Sequence, residues 1–336
     1  MKLAHRVIVP TAMAIAVLAL ASTGAAAGAA PLGSAARKAA PPITVTATIP
    51  VGQIPNRAAV NPRTDTIYVT NFGDNTVSVI SGRTDTVMAT IPVGSSPIGI
   101  AANPRTNRIY VSNLNDNTVS VISGRTNTVV ATIAMGPGLS ALQDAVNPRT
   151  DKVYVINEGN AMPVISGRTN TVVTTVDLSD SEPGGIAANP RTNRVYVTEP
   201  GLGLVGVISG RTNTVVASIP LSGTLDVAVN PRTNKIYVTN DNSPGSFSVI
   251  DGRTNTVTAT IPLESEPEDI ATNPRTNTVY ITNPEFNNVL VFSGRTNAIL
   301  ATVPVGNTPL GVAANPDTNT IYVTNSGDNT VSVLRS

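Results

Sequence analysis

The chain is 336 residues long, 41% hydrophobic and only 13% charged, with a formal net charge of +1, no cysteine, no tryptophan and one histidine, His5. Without cysteine there is no disulfide, no lipid-modified cysteine anchor and no thiolate nucleophile. Because His5 falls in the leader described next, the remaining chain has no imidazole, which excludes a serine–histidine triad, a histidine general base and a conventional zinc site.

Lys2, His5 and Arg6 precede an apolar run from Val7 to Ala21 and an Ala/Gly-rich tract. This is the layout of a secretory signal peptide, with cleavage after small residues such as Ala25 and Ala27, or Ala27 and Ala29. The run is shorter than the roughly 20 residues of a membrane span, so no integral span is expected once the leader is removed. Residues 1–30 read as signal peptide and 31–42 as a flexible linker, which places the product outside the cytoplasm, secreted or at the cell surface. Removal of residues 1–40 takes four bases and no acid, and leaves eighteen basic against twenty-one acidic side chains.

From residue 43 the chain is repetitive. Asn-Pro recurs at Asn61, Asn103, Asn147, Asn189, Asn230, Asn273 and Asn315, and a tyrosine follows each seven residues later. Each unit of 41 to 44 residues holds four short runs rich in Val, Ile, Thr and Tyr, here called A to D, separated by turn residues. NPRT suits a type I turn between A and B, and the glycine of Ser-Gly-Arg-Thr suits a tight C to D hairpin. Four-strand units of this length are the period of β-propeller blades.

The seven copies YVTN, YVSN, YVIN, YVTE, YVTN, YITN and YVTN resemble the YVTN family of β-propeller repeats, and the resemblance spans residues 43–336. It implies an all-β, seven-bladed propeller of four antiparallel strands per blade, of a kind often exported in bacteria and archaea, with no single activity attached. The Gly-His and Trp-Asp marks of WD40 repeats are absent. Seven A, B and C runs follow residue 57 but only six D runs, and ITVTATIPVG at 43–52 matches the missing one. Blade seven is therefore expected to close with a strand from each end of the chain, hiding a sheet edge. Tyrosines, Asn-Pro turns and turn glycines recur in every blade and read as scaffold, with each tyrosine packed between blades and its hydroxyl satisfied.

The topology sorts charges onto two faces. A–B and C–D turns carry sixteen basic against five acidic side chains, whereas B–C loops and D–A connections carry sixteen acidic side chains against Arg57 alone. The turn-face arginines read as solvated or bridging consensus residues. Nucleic acid is disfavoured there because no aromatic residue is available to stack a base. The loop-face acids depart from the repeat, in LSDSEPGG, LESEPEDI and TEPGLG, and Phe72, Leu114, Leu202 and Phe286 project from loops on that side. Acids around apolar tips suit a protein partner or a cationic ligand.

Four residues before each Asn-Pro stand Arg57, Gly99, Gln143, Gly185, Asp226, Asp269 and Gly311. This ring is expected to border the central channel, its glycines leaving space and Arg57, Gln143, Asp144, Asp226, Glu268 and Asp269 offering ligand contacts. Its carboxylates suit a hard cation such as Ca2+, although no cofactor is required by the sequence. In blade three, Pro163 interrupts a C strand, and Met135, Leu139 and Met162 are candidates for a local groove. The reading favoured by these features is a monomeric, non-catalytic binding module working through its acidic face. The alternative is a carboxylate-based, metal-assisted lyase, isomerase or lactonase-like enzyme with Asp226 or Asp269 as base and Arg57 as electrophile.

Overall fold

The computed structural model describes residues 42–136, 140–178 and 182–336. The expected signal peptide, nearly all of the linker, Leu139 and Asp180 lie outside the described residues. The described residues form one compact unit of seven four-stranded antiparallel sheets, six of them in the simple order A-B-C-D. Blade one, for example, comprises Pro55–Asn61, Thr66–Asn71, Thr76–Ser81 and Thr86–Pro92. The only described helical segment is a 3-10 turn, Pro200–Leu202.

The seventh sheet closes as expected. Thr44–Pro50 pairs with Thr330–Arg335, from Thr44 opposite Arg335 to Pro50 opposite Thr330, and Ile49 is buried against the blade-seven and blade-one core. Arg335 then reaches into blade one, where both its terminal nitrogens meet the Asp85 carboxylate at 2.7 and 2.8 Å. The two chain ends and the first blade are thus joined at one seam.

Alternation explains the layers. B strands such as Thr66–Asn71 are buried along their whole length, between the inner A strands and the outer C and D strands, and this accounts for their near-continuous apolar and β-branched composition. D strands such as Thr86–Pro92 stay mostly exposed. On the turn face a ring of side-chain hydrogen bonds runs once around the disc. Asn61 donates to Asn107, Asn103 to Asp151, Asn147 to Asn193, Asn189 to Asn234, Asn230 to Asn277, Asn273 to Asn319, and Asn315 to Asp65, all at 2.7 to 2.9 Å. The asparagine of Asn-Pro is therefore a blade-to-blade tie as well as a turn former.

Two expectations about the scaffold need correction. The left-handed residue of each C–D hairpin is the Asn or Asp that ends the turn, as at Asp85 (φ 53°) and Asn127 (φ 54°), and not the glycine. Asn and Asp tolerate this region because their short polar side chains bond locally. The glycine is needed for space: a Cβ on Gly124 would lie 2.3 Å from Asn107 Oδ1 and 2.7 Å from the Tyr68 hydroxyl of the preceding blade. The tyrosines are fully buried between blades, but the hydroxyls of Tyr68, Tyr154 and Tyr196 have no hydrogen-bond partner among the described residues. The Tyr68 hydroxyl abuts Gly124, and burial pushes the Tyr68 and Tyr154 hydroxyls up to about 12. Gly124→Ala is accordingly expected to destabilise the fold by about 1–3 kcal/mol, measured by denaturant unfolding, whereas Gly203→Ala in an open loop acts only through its left-handed backbone, φ 62°.

Blade three is irregular where the sequence indicates. Pro163 has no N–H for the ladder, and pairing of Lys152–Asn157 with Ala161–Ser166 stops at Tyr154 opposite Val164. Met135 and Met162 do not line a groove, because both are buried in two separate cores.

Candidate binding chamber in the central channel

The A strands bring the predicted ring together. Arg57, Gly99, Gln143, Asp226 and Asp269 line one central cavity of about 150 Å3, with Asp144 and the residues next along the other strands. A second ring of hydroxyls from the YVTN motif positions these strands. Thr239 accepts the Asp226 N–H and Thr282 the Asp269 N–H, at 3.0 and 2.9 Å. Each such hydroxyl can also donate to the next blade, as Thr198 does to the Leu225 carbonyl and Thr324 to that of Asn56, both at 2.7 Å.

Arg57 of blade one spans the channel. Its Nη1 lies 2.7 Å from Asp226 Oδ2 and 2.6 Å from Asp269 Oδ1, carboxylates from blades five and six. Burial alone would lower the guanidinium's pKa, but Asp269, Asp226 and Glu268 outweigh it and hold Arg57 above its ordinary value. Burial raises the Asp226 carboxyl well above the carboxylate range; Arg57 opposes this and neighbouring Asp269 adds to it. Backbone N–H groups complete the arrangement. Val227 donates to Asp226 Oδ1, Ile270 to Asp269 Oδ1, and Val312 to Asp269 Oδ2, each at 2.7 Å. Every oxygen of the two carboxylates therefore has a partner, and among the described residues no group of three or more potential metal ligands is arranged to hold a metal.

The glycines of the ring do not leave space, contrary to expectation. A Cβ on Gly99 would lie 2.5 Å from the Leu142 carbonyl oxygen, on Gly185 2.4 Å from Asp226 Oδ1, and on Gly311 2.5 Å from the Asn56 carbonyl oxygen. Each glycine lets the following A strand approach and bring Gln143, Asp226 or Arg57 to the channel. Asp144 takes the register position held by Ala58, Ile100, Ile186, Val227, Ile270 and Val312 in other blades. Its Oδ1 accepts from Ser112 at 2.7 Å, while its Oδ2 is buried without a partner among the described residues. Burial, eased only by Ser112, pushes its carboxyl up to about 7. Glu268 is exposed at the channel mouth.

The loop face is less uniformly acidic at its surface than the sequence map implies. Asp144, Glu199, Asp226 and Asp269 are buried. Asp74, Asp116 and Asp328 accept the N–H groups of Gln53, Ser95 and Asn307 at 2.6 to 2.7 Å, and so pin D–A connections. Glu158, Glu182, Asp241, Glu264, Glu266, Glu268 and Glu285 are exposed, and none forms an ion pair with a described residue. Of the apolar tips, Leu202 and Phe286 are about half exposed, while Phe72 and Leu114 are partly buried on loops held by N–H bonds to Ile54 and Ser96 carbonyls. On the opposite face Arg63, Arg105, Arg149 and Arg191 each donate to a carbonyl of the next blade's turn, at 2.9 to 3.3 Å.

Sequence reasoning missed two features. One is the set of backbone groups beside the ring, legible only as the residue after each ring position. The other is a substitution pair in blade four: Glu199 replaces the asparagine that elsewhere bonds Ser and Thr hydroxyls, as Asn71 does to Thr76 and Ser78. Gly206 stands where a Cβ would meet Glu199 Oε1 at 2.1 Å. A wider groove of about 460 Å3 on the perimeter of blades three and four, lined by Glu199, Leu202, Leu204 and Val215 among others, is larger than the channel cavity. Its charged lining residues, Asp177 and Glu199, are both acids, whereas the channel brings a basic and an acidic set together and is the better candidate.

No family model matches the chain, and no curated protein is similar to it in sequence. Among solved structures the chain is similar to hydrazine synthase of Kuenenia stuttgartiensis, at 20% identity over 84% of this chain and 96% of that one, with a TM-score of 0.77. At that identity the likeness shows the propeller fold alone.

Proposed function

We propose that the chain is an exported, monomeric propeller of the YVTN type that acts as a non-catalytic binding module, engaging a protein or cationic ligand through its loop face. The observation that carries this reading is the contrast between the faces. The loop-face glutamates of blades five and six, Glu264, Glu266 and Glu285, are exposed without ion-pair partners among the described residues, and Phe286 is exposed on the same face, whereas the A–B turn arginines Arg63, Arg105 and Arg149 donate to backbone of the neighbouring blade. Unpaired charge around an apolar anchor favours steering and docking of a cationic partner. The leader supports export, and no helix among the described residues is long and apolar enough to cross a membrane. A carboxylate enzyme is less well supported, since the candidate bases are already bonded to Arg57 and to backbone N–H groups.

The test is capture from the exported fraction with wild-type protein and with a Glu264→Gln, Glu266→Gln, Glu285→Gln, Phe286→Ala variant. A partner retained at low salt, weakened by added salt and lost with the variant is the expected outcome. Equal capture by both proteins refutes the assignment to this face.

A further inference from the structure

We propose that the side of the channel formed by blades one to four is a binding site for a small carboxylate, held by Arg57 and a fan of backbone N–H groups. Ala58, Ile100, Asp144, Ile186, Val227, Ile270 and Val312 all line the cavity. They share one register, each opposite the residue after the YVTN tyrosine, as Ala58 faces Val69 and Val227 faces Val238. In an antiparallel ladder alternate residues turn their N–H toward the partner strand or away from it. The seven groups consequently point the same way, and on an innermost strand that is into the channel.

Three of them show what they bind. The N–H groups of Val227, Ile270 and Val312 donate to the Asp226 and Asp269 carboxylates, and Asp269 bridges the N–H groups of two adjacent blades with one oxygen each, at 2.7 Å. The other four have no such side chain available. Their own ring positions hold Arg57, Gly99, Gln143 and Gly185, and among the described residues no side-chain acceptor bonds the N–H of Ala58, Ile100, Asp144 or Ile186. Arg57 adds to the same deficit, because Nη1 serves both aspartates while Nε and Nη2 have no acceptor among the described residues.

These N–H groups and guanidinium nitrogens are donors that a ligand with acceptor oxygens would satisfy, while the carbonyls of the same register and Asp144 Oδ2 are acceptors open to a ligand ammonium group. A carboxylate supplies such oxygens with the spacing that Asp269 already displays. The cavity of about 150 Å3 suits a compound of a few heavy atoms with some water. Glu268, exposed at the mouth, offsets repulsion best when the ligand carries an ammonium group next to its carboxylate. This site is independent of the loop-face docking reading.

The full chain would be titrated calorimetrically with sodium acetate and with glycine, against sodium chloride at matched ionic strength. Saturable binding of the carboxylates but not chloride is expected, weakened about tenfold by Arg57→Gln, which removes a charged donor. Because that variant strands two buried carboxylates and can fail to fold, Ala58→Pro serves as the second: it deletes one channel-facing N–H on an inner edge and leaves Arg57 in place. A severalfold loss is expected there, with Arg295→Gln on the turn face unchanged. Binding of glycine alone, abolished by Glu268→Gln, supports the site with a zwitterionic ligand. No carboxylate binding, or affinity unchanged in both channel variants, overturns it.

Discussion

Replacing Asp144 with valine is expected to raise the melting temperature by several degrees at pH 8 and to change it little near pH 4. The position is apolar in the six other blades, and the Asp144 carboxyl faces no charged group, only the Ser112 hydroxyl at 2.7 Å. Its acid form is favoured by burial, up to about 7 from an ordinary value of 3.8. The sign follows from proton counting. Between those two values the folded chain holds a proton that the unfolded chain has released, so the stability linked to Asp144 falls as pH rises through the window and that contribution is lost in full above about 7. For a shift of that size the cost is roughly 4 kcal/mol at alkaline pH, in order of magnitude. Valine removes the titration, and Ser112 can then turn to the Leu142 carbonyl, the equivalent of the acceptor that Thr198 uses on Leu225. Thermal melts of both proteins from pH 4 to 9 provide the check. Parallel curves would show that Asp144 does not ionise at a cost.

Deleting residues 1–50 is expected to abolish the monomeric fold, while deleting residues 1–41 leaves melting unchanged. The longer deletion removes Thr44–Pro50, exposing Thr330–Arg335 as an unpaired edge with Val331 and Val333 beneath it. An open, apolar edge favours intermolecular pairing, and the ring loses its covering of the blade-seven core. Size-exclusion chromatography and circular dichroism distinguish the outcomes, and a soluble monomer with native melting after the longer deletion contradicts the seam. By comparison Arg335→Gln, which breaks a partly exposed pair with Asp85, is a minor change of about 1 kcal/mol or less. It separates strand pairing from ion pairing as the source of closure.

The repeat made the fold legible because every blade solves the same packing problem with the same residues. Tyr68 and its six counterparts, the Asn-Pro turns and the valine-rich runs each appear seven times, and the D-like segment before Val51 showed where the missing strand lay. The channel ring was also readable, since one fixed offset from Asn-Pro selects Arg57, Gln143, Asp226 and Asp269. How those residues are used was not readable. An offset places side chains on one rim, but it does not say that Arg57 crosses to two carboxylates from blades five and six, or that Gly99, Gly185 and Gly311 are filled by a neighbouring strand. Nor does it distinguish an acid on the surface from one turned inward, so Asp144 and Glu199 counted as surface charge until burial was known.

Local periodicity and turn chemistry, which act over a few residues, are written in the sequence by itself, and they determined seven blades of four strands with a shared closing blade. Pairings between residues such as Arg57 and Asp226, 169 positions apart, depend on the curvature that brings the ring's first and fifth blades across a narrow channel. That distance, and with it which charges are neutralised and which N–H groups remain free, was decided only by the tertiary structure.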